Sequence, residues 1–194
     1  MSNKKVSIIF HSVCGNNYLI AKNFYEQFKN NGADVSIYRV EDSNFESLSE
    51  QFPIAGQYKD EIMNIEVANV EKVLDSDIIV MGSPTYYGNV SGAMKSFMDS
   101  FSPCWPEAKL WGKKFFAFST SANPEGGGDM CLNTMNIFAQ HMGMVSIPVP
   151  SNLLQGVSLP AYGILHYVGD FSNIRLNENI KKAINLMVER LLII

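Results

Sequence analysis

Three short stretches carry the residue types that could do chemistry, and each follows an apolar run. The first is His11-Ser12-Val13-Cys14-Gly15-Asn16-Asn17, a set of small hydrogen-bonding residues ahead of a helical pattern. Free backbone N–H groups and a helix dipole together suit such a place to a phosphate. The second, Gly82-Ser83-Pro84-Thr85-Tyr86-Tyr87-Gly88-Asn89-Val90, sets two flat aromatic faces beside backbone that can approach a ligand closely. The third runs from Ser119, Thr120 and Ser121 through Gly126, Gly127 and Gly128 to Asp129, offering hydroxyls and a triple glycine. Each stretch alone also suits an ordinary polar corner. Their coincidence is the stronger signal. Trp105, between Pro103 and Pro106, is by itself either a packing anchor or a stacking surface.

Other chemistries find less support. Neither GxGxxG nor GxxxxGK[ST] is present, so the dinucleotide-fold and P-loop readings lose their main motif. No paired carboxylates and no Ser-His-Asp arrangement stand out for hydrolysis. The cysteines are Cys14, Cys104 and Cys131, without a CxxC pair, so cysteine alone builds neither a zinc site nor an iron–sulfur cluster. No metal is expected, and the odd, widely spaced thiols point to a reduced, cytoplasmic setting.

The elements that must position the three loops are legible from periodicity. Residues 6–10 and 78–81 are compact apolar runs of the kind buried on both faces of a parallel sheet. Residues 115–118 form another strand, Val35 and Ile37 mark one nearer an edge, and residues 144–149 mark a fifth, edge-like because of Pro148 and Pro150. A helix follows the first loop, with Ile20, Phe24 and Phe28 on one face, Asn16 or Asn17 as cap, and Asn31-Gly32 as stop. A second helix carries Met94, Phe97, Met98 and Phe101 behind a cap at Ser91. A third has Met135, Phe138 and Met142 and ends at Gly143; the last repeats apolar residues from Ile180 to Leu192. Residues 66–74 read as a short helix, 41–65 as an excursion with short helical pieces, and 151–176 as irregular.

Alternating strands and helices predict a single α/β domain over residues 1–194, a doubly wound five-stranded parallel sheet with helices on both faces. The loops after strands 1, 3 and 4 then open on one edge, where open α/β sheets bind ligands. With 194 residues, 46% hydrophobic and 18% charged, the chain is globular in composition. A net charge of −4 without a basic run argues against nucleic acid or an anionic membrane as partner, and no apolar stretch is long enough to span a bilayer.

These residues resemble the flavodoxin-like FMN proteins, and among them the WrbA type of NAD(P)H:quinone oxidoreductase. His11-Ser12-Val13-Cys14-Gly15 is similar to the family's aromatic-Ser-x-x-Gly, and the stretch from Gly82 to Gly92 to its Gly-x-Pro-Thr-x-aromatic-Gly-Asn-x-Ser-Gly. Trp105, Leu110-Trp111-Gly112-Lys113, the triple glycine and Gly143-Met144 continue the likeness. The resemblance implies strand order 2-1-3-4-5 and FMN as cofactor. Ser12, Val13, Cys14, Gly15, Asn16 and Asn17 would hold its phosphate. Pro84, Thr85, Tyr86, Tyr87 and Gly88, with Ser119, Thr120, Ser121, Gly126 and Gly127, would flank the ribityl chain and ring. It implies NAD(P)H as co-substrate, a quinone or similar small acceptor, Trp105 over the substrate slot with Tyr87, His141 reaching the flavin, and a homo-oligomer, dimer or tetramer. Three features depart from the pattern: His11 replaces the first aromatic, Tyr86 stands where the WrbA type carries arginine, and the third loop is longer. The rival reading is a flavodoxin-type carrier that passes single electrons between proteins.

Overall fold

Ile78 and Val80 point to one side of their strand and Ile79 and Met81 to the other, yet all four are buried. Such a strand needs helices on both faces. The computed structural model, which describes residues 4–52 and 54–194, has that arrangement. Its parallel sheet holds β1 (Lys5–Phe10), β2 (Asp34–Arg39), β3 (Ile78–Pro84), β4 (Lys114–Ser121), β5 (Val145–Ser146) and β6 (Ile164–Tyr167). The order is β2-β1-β3-β4-β5, with β6 also paired to β4. The register sets Val6 beside Val35 and Ile78, and Ile78 beside Lys114.

On one face, Val6, Ile8, Phe10, Phe116 and Phe118 pack under α1 (Asn16–Asn30) and α7 (Glu178–Ile193). Phe24 of α1 lies 5.8 Å from the Phe116 ring and 5.7 Å from that of Phe118. On the other face, Ile9, Phe115 and Ala117 pack under the short α4 (Val70–Leu74), α5 (Gly92–Asp99) and α6 (Gly128–His141). Between β2 and α4, two further short helices, α2 (Phe45–Gln51) and α3 (Lys59–Met63), flank a 3-10 turn at Ala55–Tyr58. The side chains of Ser91, Asn69 and Asn177 accept the N–H groups of Met94, Lys72 and Ile180, capping α5, α4 and α7.

Three sequence expectations change. The helix over 66–74 shrinks to α4, because Val67 bridges to Arg39 at the sheet edge instead. The fifth strand is split: Val145 and Ser146 pair with Lys114 and Phe115, the chain leaves at Pro148, and Ile164–Tyr167 returns to pair with residues 118–121. Pro148 and Pro150 lack the N–H groups a continuing ladder needs. The sheet therefore has six strands, one position being filled by two. Third, neither Asn16 nor Asn17 caps α1. Gly15, at φ +87°, is the residue before the helix, and both asparagines lie inside its first turn.

Candidate active site

The end of β1 is fixed by the His11 N–H, which donates to the Gly82 carbonyl, and α1 begins five residues later. Among the described residues, none of the seven N–H groups from Ser12 to Tyr18 finds a protein acceptor; the first bond of the helix runs from Leu19 to the Gly15 carbonyl. A run of free N–H groups around a left-handed glycine at a helix start is an anion nest. Asn17 is buried, donates from Nδ2 to the His11 carbonyl at 3.2 Å, and leaves its Oδ1 without a partner. Gly15 cannot carry a side chain, since a Cβ there would sit 2.4 Å from Cδ2 of Tyr58.

The second loop lies alongside. Thr85 N–H donates to Thr120 O at 2.8 Å, and Tyr86 and Asn89 exchange both backbone bonds around Tyr87 and Gly88. Both central residues have positive φ, 52° and 73°, the requirement of a type I′ turn. Tyr87 is thereby held fully in solvent, at a backbone angle a bulky residue adopts only under strain. The third loop meets this turn back to back. A Cβ on Gly127 would lie 2.8 Å from Gly88 Cα, so the two loops approach as closely as only glycines allow.

A crevice of about 70 Å³ runs between these loops, and Ser12, Val13, Cys14, Asn16, Asn17, Pro84, Tyr86 and Thr120 line it with Phe52, Val168 and Ser172. No acidic side chain is among them. Burial, with Cys14 and Asp42 nearby, pushes the Tyr86 phenol up to about 12, so it remains an O–H donor at neutral pH. Burial likewise pushes the Cys14 thiol up, which keeps it protonated rather than nucleophilic. Beyond Tyr86 lies a larger cavity of about 760 Å³, where His11 Nε2 donates to Asp42 Oδ2 at 2.8 Å. That hydrogen bond holds the Asp42 carboxyl below the usual carboxylate range.

The structure sorts the sequence-derived residues. Ser119 lies beneath the site rather than on it. It is wholly buried, donates to the Ser83 carbonyl at 2.7 Å and meets the Thr85 hydroxyl at 3.0 Å. Ser121 is spent on the Asn123 carbonyl. The Asn16 side chain is also engaged, donating to Ser172 O at 2.7 Å and accepting from Arg175 at 2.9 Å, which leaves its backbone N–H for a ligand.

Trp105 and His141 do not join these loops within one chain. α5 and α6 run back antiparallel to the strands, so each ends where the next strand begins. Trp105 lies in the compact turn before Lys114, and His141 four residues before Val145, which pairs with Lys114. The loops lie past Ser121, seven residue steps along β4, or about 23 Å away. Within one chain, the topology sets Trp105 toward the opposite edge of the sheet from Tyr87.

Phe52 of the crevice wall and a set of residues near the end of the chain were missed by sequence reasoning. Val168 and Ser172 belong to the segment after β6, and Arg175 donates to the Cys14 carbonyl at 2.8 Å. The only sequence signal was the short Ile164–Tyr167 run, too brief to separate from a loop.

A doubly wound parallel sheet in the order β2-β1-β3-β4-β5, with the site loops at its carboxyl edge, is the flavodoxin-like fold. The WrbA-like flavodoxin of Agrobacterium tumefaciens superposes with a TM-score of 0.68 at 19% identity, covering 97% of this chain and 95% of that one. The Megasphaera elsdenii flavodoxin gives 0.58 at 19% identity, covering 95% and 98%. At those identities the likeness is one of fold. The family model of NADPH-dependent FMN reductase matches residues 5–156, and the chain belongs to that family. An NAD(P)H dehydrogenase (quinone) of Archaeoglobus fulgidus is 33% identical over 156 residues, covering 79% of this chain and 82% of that one. One of Sinorhizobium fredii is 33% identical over 146 residues, covering 75% and 71%. Membership makes FMN the cofactor and a reduced nicotinamide nucleotide the electron donor.

Proposed function

We propose that the chain moves two electrons from NAD(P)H through bound FMN to a quinone or a similarly small planar acceptor. The observation that carries this reading is the nest: seven N–H groups at a helix start that find no acceptor among the described residues, with no carboxylate among the described residues that line the adjoining crevice. That donor set fits a phosphate monoester. Ser12, Val13, Cys14, Gly15, Asn16 and Asn17 would hold the phosphate through their backbone. Thr85, Tyr86, Tyr87 and Gly88 would border the ribityl chain and ring, with Thr120, Gly126 and Gly127 opposite. When bound, FMN supplies acceptance of a hydride from the nucleotide and its return to the acceptor as two electrons and a proton. The protein's own part is to orient the ring, to offer backbone N–H groups to negative charge, and to present the Tyr87 face to planar substrates.

Trp105 and His141 enter this reading through a second copy. A homo-oligomer, dimer or tetramer, would lay the Trp105 edge of one chain over the Tyr87 edge of another. The exposure of Trp105 (62%), Trp111 (77%) and Tyr87 (106%) supports such a contact. Three free cysteines support a cytoplasmic setting, and no helix among the described residues is long and apolar enough to cross a membrane.

The test is an anaerobic titration of the FMN-loaded protein with NADH and NADPH, followed in the flavin band. Bleaching by one of them, reversed by adding a quinone, is expected. Failure to bind FMN overturns the reading. Tight FMN that neither nucleotide bleaches assigns the protein to the single-electron carriers instead.

A further inference from the structure

Arg175 is a half-buried cation with no carboxylate partner among the described residues. Its guanidinium spends its fork on neutral oxygens instead. Nη1 donates to the Cys14 carbonyl at 2.8 Å and to Asn16 Oδ1 at 2.9 Å, and Nη2 donates to Gln57 Oε1 at 2.8 Å. The plane of the group lies over the Tyr58 ring, 5.0 Å from its centroid. A half-buried cation with no protein counter-ion leaves its charge free to act on an anion bound nearby.

The Cys14 carbonyl shares its peptide plane with the Gly15 N–H, and in a trans peptide the two point in opposite directions. By holding that carbonyl outward, Arg175 turns the Gly15 N–H toward the inside of the nest. The same residue therefore does two things: it sets a donor and it places an uncompensated positive charge behind the loop. Tyr58, which covers Gly15 from outside, is the ring on which the guanidinium rests.

We propose that Arg175 is a positioning residue for the phosphate end of the cofactor and the determinant of FMN over the unphosphorylated riboflavin. This rests on the reading of residues 12–18 as the FMN phosphate site. It adds a cation from the far end of the chain to a nest otherwise built of neutral backbone.

The experiment compares FMN and riboflavin binding to the apoprotein by flavin fluorescence quenching, for the wild type, Arg175→Gln and Arg175→Lys, at two salt concentrations. Misaligning the Gly15 N–H, a donor to a charged phosphate, and removing the cation behind it weakens binding by roughly 10- to 100-fold. Arg175→Gln is therefore expected to weaken FMN by that factor while riboflavin changes less than about threefold, and to flatten the salt dependence of FMN binding. Arg175→Lys, which keeps the charge and loses the fork, is expected to recover part of the loss. Where riboflavin binding is too weak to measure in the wild type, inorganic phosphate replaces it, and its displacement of FMN should weaken in Arg175→Gln. Equal weakening of FMN and riboflavin, or an unchanged FMN affinity in a folded Arg175→Gln, overturns the assignment. A wild type that binds no FMN at all overturns the reading of the nest instead.

Discussion

Substituting Gly15 by alanine tests the geometry of the nest most directly. At φ +87° an alanine is held in the left-handed region, which costs roughly 1–2 kcal/mol. Its Cβ would also stand 2.4 Å from Tyr58 Cδ2, 3.1 Å from Cγ and 3.2 Å from Cβ. Because the base of the side chain is nearly as close as the ring, a rotation about χ2 does not clear the overlap, and Tyr58 must move bodily. Overpacking of that kind costs about 1–3 kcal/mol, and lifting the ring off Arg175 forfeits about 0.5–1 kcal/mol more. Gly15→Ala should thus destabilise the apoprotein by about 2.5–6 kcal/mol in urea unfolding, and weaken FMN besides. Tyr58→Ala removes the obstacle and leaves only the backbone strain. In the double variant the two costs should fall short of their sum by about 1.5–4 kcal/mol, well above the ~0.5 kcal/mol scatter of independent sites. Strict additivity, or a Gly15→Ala protein as stable as the wild type, would refute the reasoning.

Two further outcomes follow from the same loops. Tyr87→Asn puts at the first central position of the 86–89 turn a residue that accepts positive φ, so the melting temperature should rise by the equivalent of about 1 kcal/mol. If Tyr87 is the stacking face, KM for the planar acceptor should rise at the same time; a variant no more stable than the wild type contradicts the strain. Asp42→Asn keeps an acceptor for His11 Nε2 but loses its charge. Since the folded carboxyl titrates below its unfolded value, the contribution of Asp42 is fully present above about pH 4 and is lost as pH falls through the lowered value. Thermal melts should show a gap of about 1 kcal/mol between wild type and variant at neutral pH, closing in acid; a gap that widens in acid reverses the sign and sinks the argument.

The strands and the three loops could be read in the sequence because they obey local rules. Residues 78–81 announce a strand buried on both faces, Ser91 caps its helix as its spacing demands, and Gly126 and Gly127 stand beside hydroxyls where β4 ends. β6 escaped because a four-residue run between Gly163 and Gly169 gives period-2 reading too little length, and its place in the sheet depends on a strand that stops early at Ser146. The asparagines of the first loop escaped for another reason. Their side chains look like caps, but a left-handed Gly15 already ends the turn and frees them to bond elsewhere.

Trp105 and His141 show where reading by motif and reading by topology part. Each follows a site loop in the chain, and proximity in sequence suggests proximity in space. A right-handed crossover helix undoes that, because it must carry the chain from the end of one strand back to the start of the next. Any residue at the far end of α5 or α6 is consequently placed at the opposite edge, whatever family pattern it completes. The converse holds for Arg175, which is 161 positions from Cys14 and yet touches it. It arrives because β6 runs parallel to β4 and so delivers the chain after Tyr167 to the same edge as the loops. There the Ser172 carbonyl takes the Asn16 amide and the His166 Nε2 holds the Ile174 carbonyl at 3.1 Å, fixing the segment that bears the guanidinium. The excursions at 55–58 and 169–175, featureless in periodicity, are thus the outer wall of the nest. Their pattern is irregular because their contacts are made to a loop, not to a sheet or a helix face.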